Sequence, residues 1–149
     1  MDFITQLFDM DLSALVPEIP VFLGATRAIL VLAILVGPVL MLALGAMYLL
    51  RPAPEANFKY GFRTYFGMGS IEAWQFSQKI AGLAFGGLGA LLLLAMFIMV
   101  FTFGKKDLMQ IAGTVVICLM CQLVLALIAR LVVAIFAWRY FDKDGNRRK

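Results

Sequence analysis

AILVLAILVGPVLMLALGAMYLL, residues 28–50, is a run of 23 residues without a charge, bracketed by Arg27 and Arg51. Wound as an α-helix it is ~35 Å long, more than the ~30 Å hydrocarbon core of a bilayer, with some length left for tilt. Two more runs read the same way. Residues 80–104 are uncharged over 25 positions, and residues 108–129 over 22 before Arg130, with apolar sequence continuing to Trp138. Apolar residues make up 63% of the 149-residue chain and charged ones 15%, with a mean hydropathy of +0.94. That composition leaves too little polar surface for a water-soluble domain, so lipid is the solvent for most of the chain. The expected fold is all-α, an integral membrane bundle of three transmembrane helices forming one domain over 1–149.

Outward from the first span, 24–50, the preceding residues read MDFITQLFDMDLSALVPEIP (1–20). Phe3, Leu7 and Phe8, then Leu12, Leu15 and Val16, fall near helical spacing, with Asp2, Asp9 and Asp11 offset from them. This predicts a short amphipathic helix at the membrane surface, ended by Pro17 and Pro20. It is acidic, unlike the basic start of a signal peptide. Within the first span, Pro38 has no N–H to offer the Ile34 carbonyl, which predicts a bend; a kink of this kind can open a cavity, but a plain kink is the favoured reading. Arg51, Pro52 and Pro54 then stop the helix.

The long polar interruption comes next, NFKYGFRTYFGMGSIEAWQFSQKIAG (57–82). In its loop portion, 51–70, Phe58, Tyr60 and Phe62 alternate with Lys59, Gly61 and Arg63. Interleaved aromatic and basic residues can stack nucleobases, but beside two spans a belt at headgroup level is the favoured reading, without nucleic acid. Ser70 reads as an N-cap and Glu72 as a first-turn acid suited to the helix dipole. The second span with its cytoplasmic extension is 71–104. Trp74, Gln78 and Gly82 share a face, and Gly82, Gly86, Gly89 and Ala90 form a seam that lets another helix approach closely. Lys105, Lys106 and Asp107 form a short turn into the third span, 108–138. There Gln122 lies within the bilayer and calls for an interhelical partner. Arg130 has two readings, snorkelling to the interface or lining a protein pocket. The tail, 139–149, is short and charged and is expected to fray.

Charge placement predicts the topology. Arg27, Lys105 and Lys106 make three cations on the side of the N-terminus. Arg51, Lys59, Arg63, Lys79, Arg139, Lys143, Arg147, Arg148 and Lys149 make nine on the side of the loop and tail. By the positive-inside rule the N-terminus is outside, and the loop and C-terminus are cytoplasmic. The chain has no histidine, and its two cysteines, Cys118 and Cys121, sit three apart in an apolar run as small packing residues. No acidic residue lies inside a span, and Thr64 and Ser70 have no visible base. The sequence therefore calls for no metal, no cofactor and no catalytic residue.

Asn57, Gly61, Arg63 and Thr64, followed by Trp74 eleven residues after Arg63 and Gly82 eight later, carry a resemblance. The chain resembles the membrane domain of the SdpI family, in which a line N-x-x-x-G-x-R-T, a tryptophan and a glycine sit between the first and second spans. The likeness covers roughly residues 24–140. It departs from the family at Tyr65 and Phe66, where proline and tryptophan are common, at Ser70, often asparagine, and at Gln78, often histidine. The resemblance implies a non-enzymatic protein of the bacterial inner membrane. The family's namesake resembles an immunity protein that protects a cell from its own toxin and captures a repressor at the membrane. Expected partners are membrane lipid and a protein (toxin, regulator or complex subunits), with self-association left open. The alternative is a small structural or accessory subunit of a larger complex. The candidate binding residues are Asn57, Gly61, Arg63, Thr64, Glu72 and Trp74, with Gly82, Gly86, Gly89 and Gln122 for helix packing. Two readings stand for Arg63. It holds an anionic group such as a lipid phosphate or carboxylate, or it pairs with Glu72 while Trp74 anchors the interface.

Overall fold

The structure is a computed structural model and describes residues 19–56 and 59–148. The surface helix expected over 1–20 falls almost wholly outside the described residues, and so does Asn57. Three long helices follow in order: α1 (Ile19–Leu50), α2 (Ile71–Val100) and α3 (Leu108–Tyr140). Short 3-10 turns at Phe66–Met68 and Phe101–Lys105 precede α2 and follow it. The fold is all-helical, with no strand among the described residues beyond one isolated bridge, Phe141 to Arg147. All three helices are long and apolar enough to cross a membrane. At 33 residues, α3 is ~50 Å long, so its ends project beyond a ~30 Å core.

Local chemistry explains where the helices begin. The Ser70 hydroxyl accepts the Ala73 amide at 3.1 Å, and an Asp107 carboxylate oxygen accepts the Gln110 amide at 2.8 Å. Each cap satisfies one of the four orphan donors of a first turn. At the Asp107 end, the Arg27 guanidinium donates to the Lys106 carbonyl at 3.3 Å, tying α1 to the short turn between α2 and α3.

α1 and α2 make the most extensive pair. Gly82, Gly86 and Gly89 on α2 lie against Leu49, Gly45 and Leu42 on α1. A Cβ on Gly89 would stand 2.6 Å from the Leu42 nitrogen, closer than real Cβ contacts come. Gly45 is tighter still, since its Cβ would fall on the Gly86 backbone. The seam is thus occupied within the chain. Leu92, one of four consecutive leucines, is buried in the same core with Met41, Phe85, Ala129 and Val133.

α3 is joined to α1 by one deep hydrogen bond. Gln122 Nε2 donates to the Ile34 carbonyl at 2.9 Å, the acceptor that Pro38 leaves without a helical donor. The carbonyl that Pro38 frees is therefore met by a side chain from α3. Gly37 makes the room, because a Cβ there would collide with the Gln122 amide oxygen. Gln122→Leu should cost on the order of 0.6 kcal/mol, the average for interhelical hydrogen bonds in membranes. In Pro38→Ala, residue 38 regains an N–H for Ile34, so the same change should cost close to nothing. A double-mutant cycle on detergent unfolding measures this coupling, and equal costs in both backgrounds would refute it.

The tail does not fray as expected. Phe141 is fully buried and packs on Phe76, with ring centroids 5.4 Å apart. The Arg148 amide donates to the Tyr140 carbonyl at 2.9 Å, and the Asp142 amide to the Asn146 carbonyl at 2.9 Å. Gly145, at φ 78°, makes the turn. The Asn146 amide, bonded to the Asp142 carboxylate at 2.7 Å, holds that group below the usual carboxylate range.

Candidate functional site

The segment between α1 and α2 is drawn down into the bundle rather than lying on it. Phe62 is buried, its ring 6.1 Å from Tyr48 on α1 and 5.7 Å from Phe85 on α2. Gln78, fully buried two turns into α2, holds the Phe62 backbone at both ends. The Phe62 amide donates to Gln78 Oε1 at 2.8 Å, and Gln78 Nε2 donates to the Phe62 carbonyl at 2.8 Å. One carboxamide thus replaces the two waters an exposed loop residue would bind. Irregular backbone at membrane depth needs such protein partners.

Trp74 supports the same fold from below. Its ring is fully buried and its indole N–H donates to the Ala53 carbonyl at 2.8 Å. This corrects the expectation of an interface anchor. Gly61 explains the burial: at φ 109° it adopts a backbone closed to most residues, and any Cβ there would meet the Trp74 ring at 2.5 Å. Gly61, Trp74 and Gln78 therefore act as one unit that lowers Phe62 into the core. Beyond it, the Thr64 hydroxyl accepts the Gly67 amide at 2.9 Å, which closes the turn ahead of α2.

Arg63 follows directly on the docked Phe62 and is exposed. Two adjoining cavities share Arg63 and Arg130 in their walls. One, of about 400 Å³, is also lined by Thr64, Tyr65, Phe66 and Trp138. The other, of about 680 Å³, has Lys59, Tyr60, Gly61 and Tyr48 near the loop, and Leu44, Met47, Ala126 and Leu127 along α1 and α3. Arg130, exposed in the isolated chain, lines both cavities, a position that fits a pocket wall and a side chain reaching to the interface alike. It forms no hydrogen bond or ion pair among the described residues. Among the described residues, no carboxylate lines either cavity. The Arg148 guanidinium adds a further cation at the rim, 5.8 Å above the Phe66 ring and 5.7 Å from that of Trp138.

Glu72 does not join this group. Its carboxylate meets Arg147 Nε at 3.1 Å, with both side chains more than half exposed, so the expected Arg63–Glu72 pair is replaced by a loop-to-tail pair worth little by itself. Ser70 reinforces the tail contact by donating its hydroxyl to the Gly145 carbonyl at 2.7 Å. Loop and tail accordingly share one end of the bundle.

The family model of the SdpI/YfhL protein family matches residues 55–137, more than half of the chain. The chain belongs to the SdpI family. No curated protein and no solved structure matches it. The SdpI match takes in most of the loop, all of α2 and most of α3, including Gly61, Arg63, Thr64, Trp74 and Arg130, and leaves α1 outside. A multi-pass membrane protein follows from the family together with the three apolar helices. Of the SdpI-like loop residues, Gly61 and Trp74 meet in the core, Arg63 and Thr64 face the cavities, and Glu72 lies apart at the tail. Lys59 and Tyr60 were read from the sequence only as part of an aromatic and basic belt, and Tyr48 and Trp138 were not read as site residues. Tyr48 and Trp138 come to the site through the packing of α1 and α3 around the lowered loop.

Proposed function

We propose that this SdpI-family chain is a non-enzymatic binding protein of the bacterial inner membrane that gives immunity to a membrane-active toxin or signals through its loop. In this reading the N-terminus is outside, and the loop and tail lie in the cytoplasm. The observation that carries it is the pair Arg63 and Arg130, brought from the loop and α3 to the walls of two adjoining cavities whose described lining residues include no carboxylate. Two planar, permanently charged donors in a part-apolar setting select anionic groups, by contact and hydrogen bonding rather than by chemistry on the ligand. The alternative role as a complex subunit drew on the glycine seam, which α1 already covers, and on the acidic N-terminal segment, which lies outside the described residues.

Expression in a toxin-sensitive strain tests the reading. The chain should raise survival, Arg63→Gln should abolish the gain, and Lys143→Gln in the tail should retain it. A reporter active only outside the cytoplasm should be silent when fused after Gly67 and active after Lys106. The reverse pattern would overturn the orientation. A second protein recovered at fixed stoichiometry in mild detergent, with no protection on expression, would favour the subunit role.

A further inference from the structure

We infer that the cleft between Arg63 and Arg130 seats an anionic phospholipid, its phosphate between the two guanidinium groups and its acyl chains in the groove between α1 and α3. The inference rests on the reading of this cleft as a binding site and names the ligand class. The lining of the larger cavity is divided by polarity in the way a phospholipid is. Lys59, Tyr60, Arg63 and Arg130 form its polar part, while Leu44, Met47, Ala126 and Leu127 form an apolar wall. Leu44, Met47 and Leu127 are exposed in the isolated chain, and on membrane-spanning helices exposure means contact with lipid. The cleft therefore opens sideways to the bilayer, not only to water.

Depth supports the same ligand. Arg130 lies ten residues before Tyr140, the end of α3, or ~15 Å along its axis. If a ~50 Å helix is centred on a ~30 Å core, ~10 Å projects at each end, which puts Arg130 ~5 Å inside the hydrocarbon boundary. Its long stem carries the guanidinium from there up toward the headgroups. A cation at that level, in a cavity whose described lining holds no carboxylate, is neutralised at least cost by the phosphate of a lipid lying in the groove. Arg63 approaches from the loop and completes a two-sided clamp. Its backbone is positioned by the Gln78 hold on its neighbour Phe62.

The full chain, purified in a neutral detergent, is titrated with phosphatidylglycerol, with phosphatidylcholine and with inorganic phosphate. Bound lipid is counted by native mass spectrometry, and tryptophan emission, from Trp138 in the cavity wall and the buried Trp74, is followed. Saturable retention of phosphatidylglycerol, at least ~10-fold tighter than phosphatidylcholine and not displaced by phosphate, is the expected result. Arg63→Gln and Arg130→Gln should each weaken it by ~10-fold or more, since a charge-assisted bond to phosphate is lost. Arg139→Gln, on the exposed end of α3, should bind as the unchanged chain does. Arg63→Lys keeps the charge and a solvent-facing position, so it reports even if Arg130→Gln does not fold; it should show a partial loss. Equal retention of the two lipids, or Arg63 variants that bind normally, would refute the proposal. Full competition by phosphate would replace lipid with a soluble anion. Because no toxin is used, lipid selectivity without protection in cells would remove only the immunity role, and protection without selectivity only the lipid.

Discussion

Gln78→Met is expected to release the loop from the bundle and to lower stability by about 2–6 kcal/mol. Methionine nearly conserves volume, so packing around Phe62 and Trp74 would survive. What disappears is the pair of hydrogen bonds at 2.8 Å that satisfies both backbone groups of Phe62. Each buried group left without a partner costs about 1–3 kcal/mol, and Gln78 is fully buried, so water does not simply replace the amide. Thermal unfolding in detergent reads the loss, and limited proteolysis at Lys59 and Arg63 reads the freed loop. Gln78→His is the informative companion. Imidazole has its two nitrogens on opposite sides of the ring, so it can serve the Phe62 amide or its carbonyl but not both. It should lose about half as much. The family's frequent histidine at this position would then mark a loop held by one bond rather than two. Wild-type stability in Gln78→Met would mean that the Phe62 backbone finds other partners and that Gly61 and Trp74 alone set the loop.

The spans were legible because a charge-free run of 22 to 25 residues admits few fates. The Ser70 cap was equally readable, since its partner, Ala73, is three residues away. Long-range pairings were not. Pro38 announces an orphan carbonyl at Ile34, and Gln122 announces an amide seeking a partner. Joining the two requires the relative register of α1 and α3, which neither helix encodes alone. Trp74 misled for a similar reason. A tryptophan near a helix end suggests the interface, and only the missing side chain of Gly61, thirteen residues earlier, lets the ring be covered. Glu72 sits nine residues after Arg63, close enough in sequence to invite pairing. The start of α2 directs it to the tail, where Arg147 waits because Phe141 and Gly145 fold the chain back. The basic cleft was half visible: Arg63 and Arg130 were each noticed, but nothing in the sequence joined them.

Gly45→Ala is expected to destabilise the bundle by about 3 kcal/mol or more, whereas Gly86→Ala, on the opposite face of the same contact, should be neutral or slightly stabilising. The two glycines touch, yet their geometry is not symmetric. A Cβ on Gly45 would be driven into the Gly86 nitrogen and Cα, which are backbone atoms and cannot rotate away. A Cβ on Gly86 would stand 3.7 Å from the Gly45 Cα, an ordinary van der Waals contact. Accommodating the first methyl means moving α1 off α2. That also loosens Leu42 over Gly89 and Leu49 over Gly82, so the loss spreads along the seam. Accommodating the second moves nothing and removes a flexible residue from a helix interior, a gain of up to ~1 kcal/mol. Unfolding midpoints in one detergent compare the pair directly, and Gly87→Ala, with nothing within 4 Å of its Cβ, sets the baseline for propensity alone. Losses of equal size at Gly45 and Gly86 would place the closest approach of α1 and α2 elsewhere. A loss at Gly45 alone would establish that the first span, outside the family match, is held against the matched region by backbone contact.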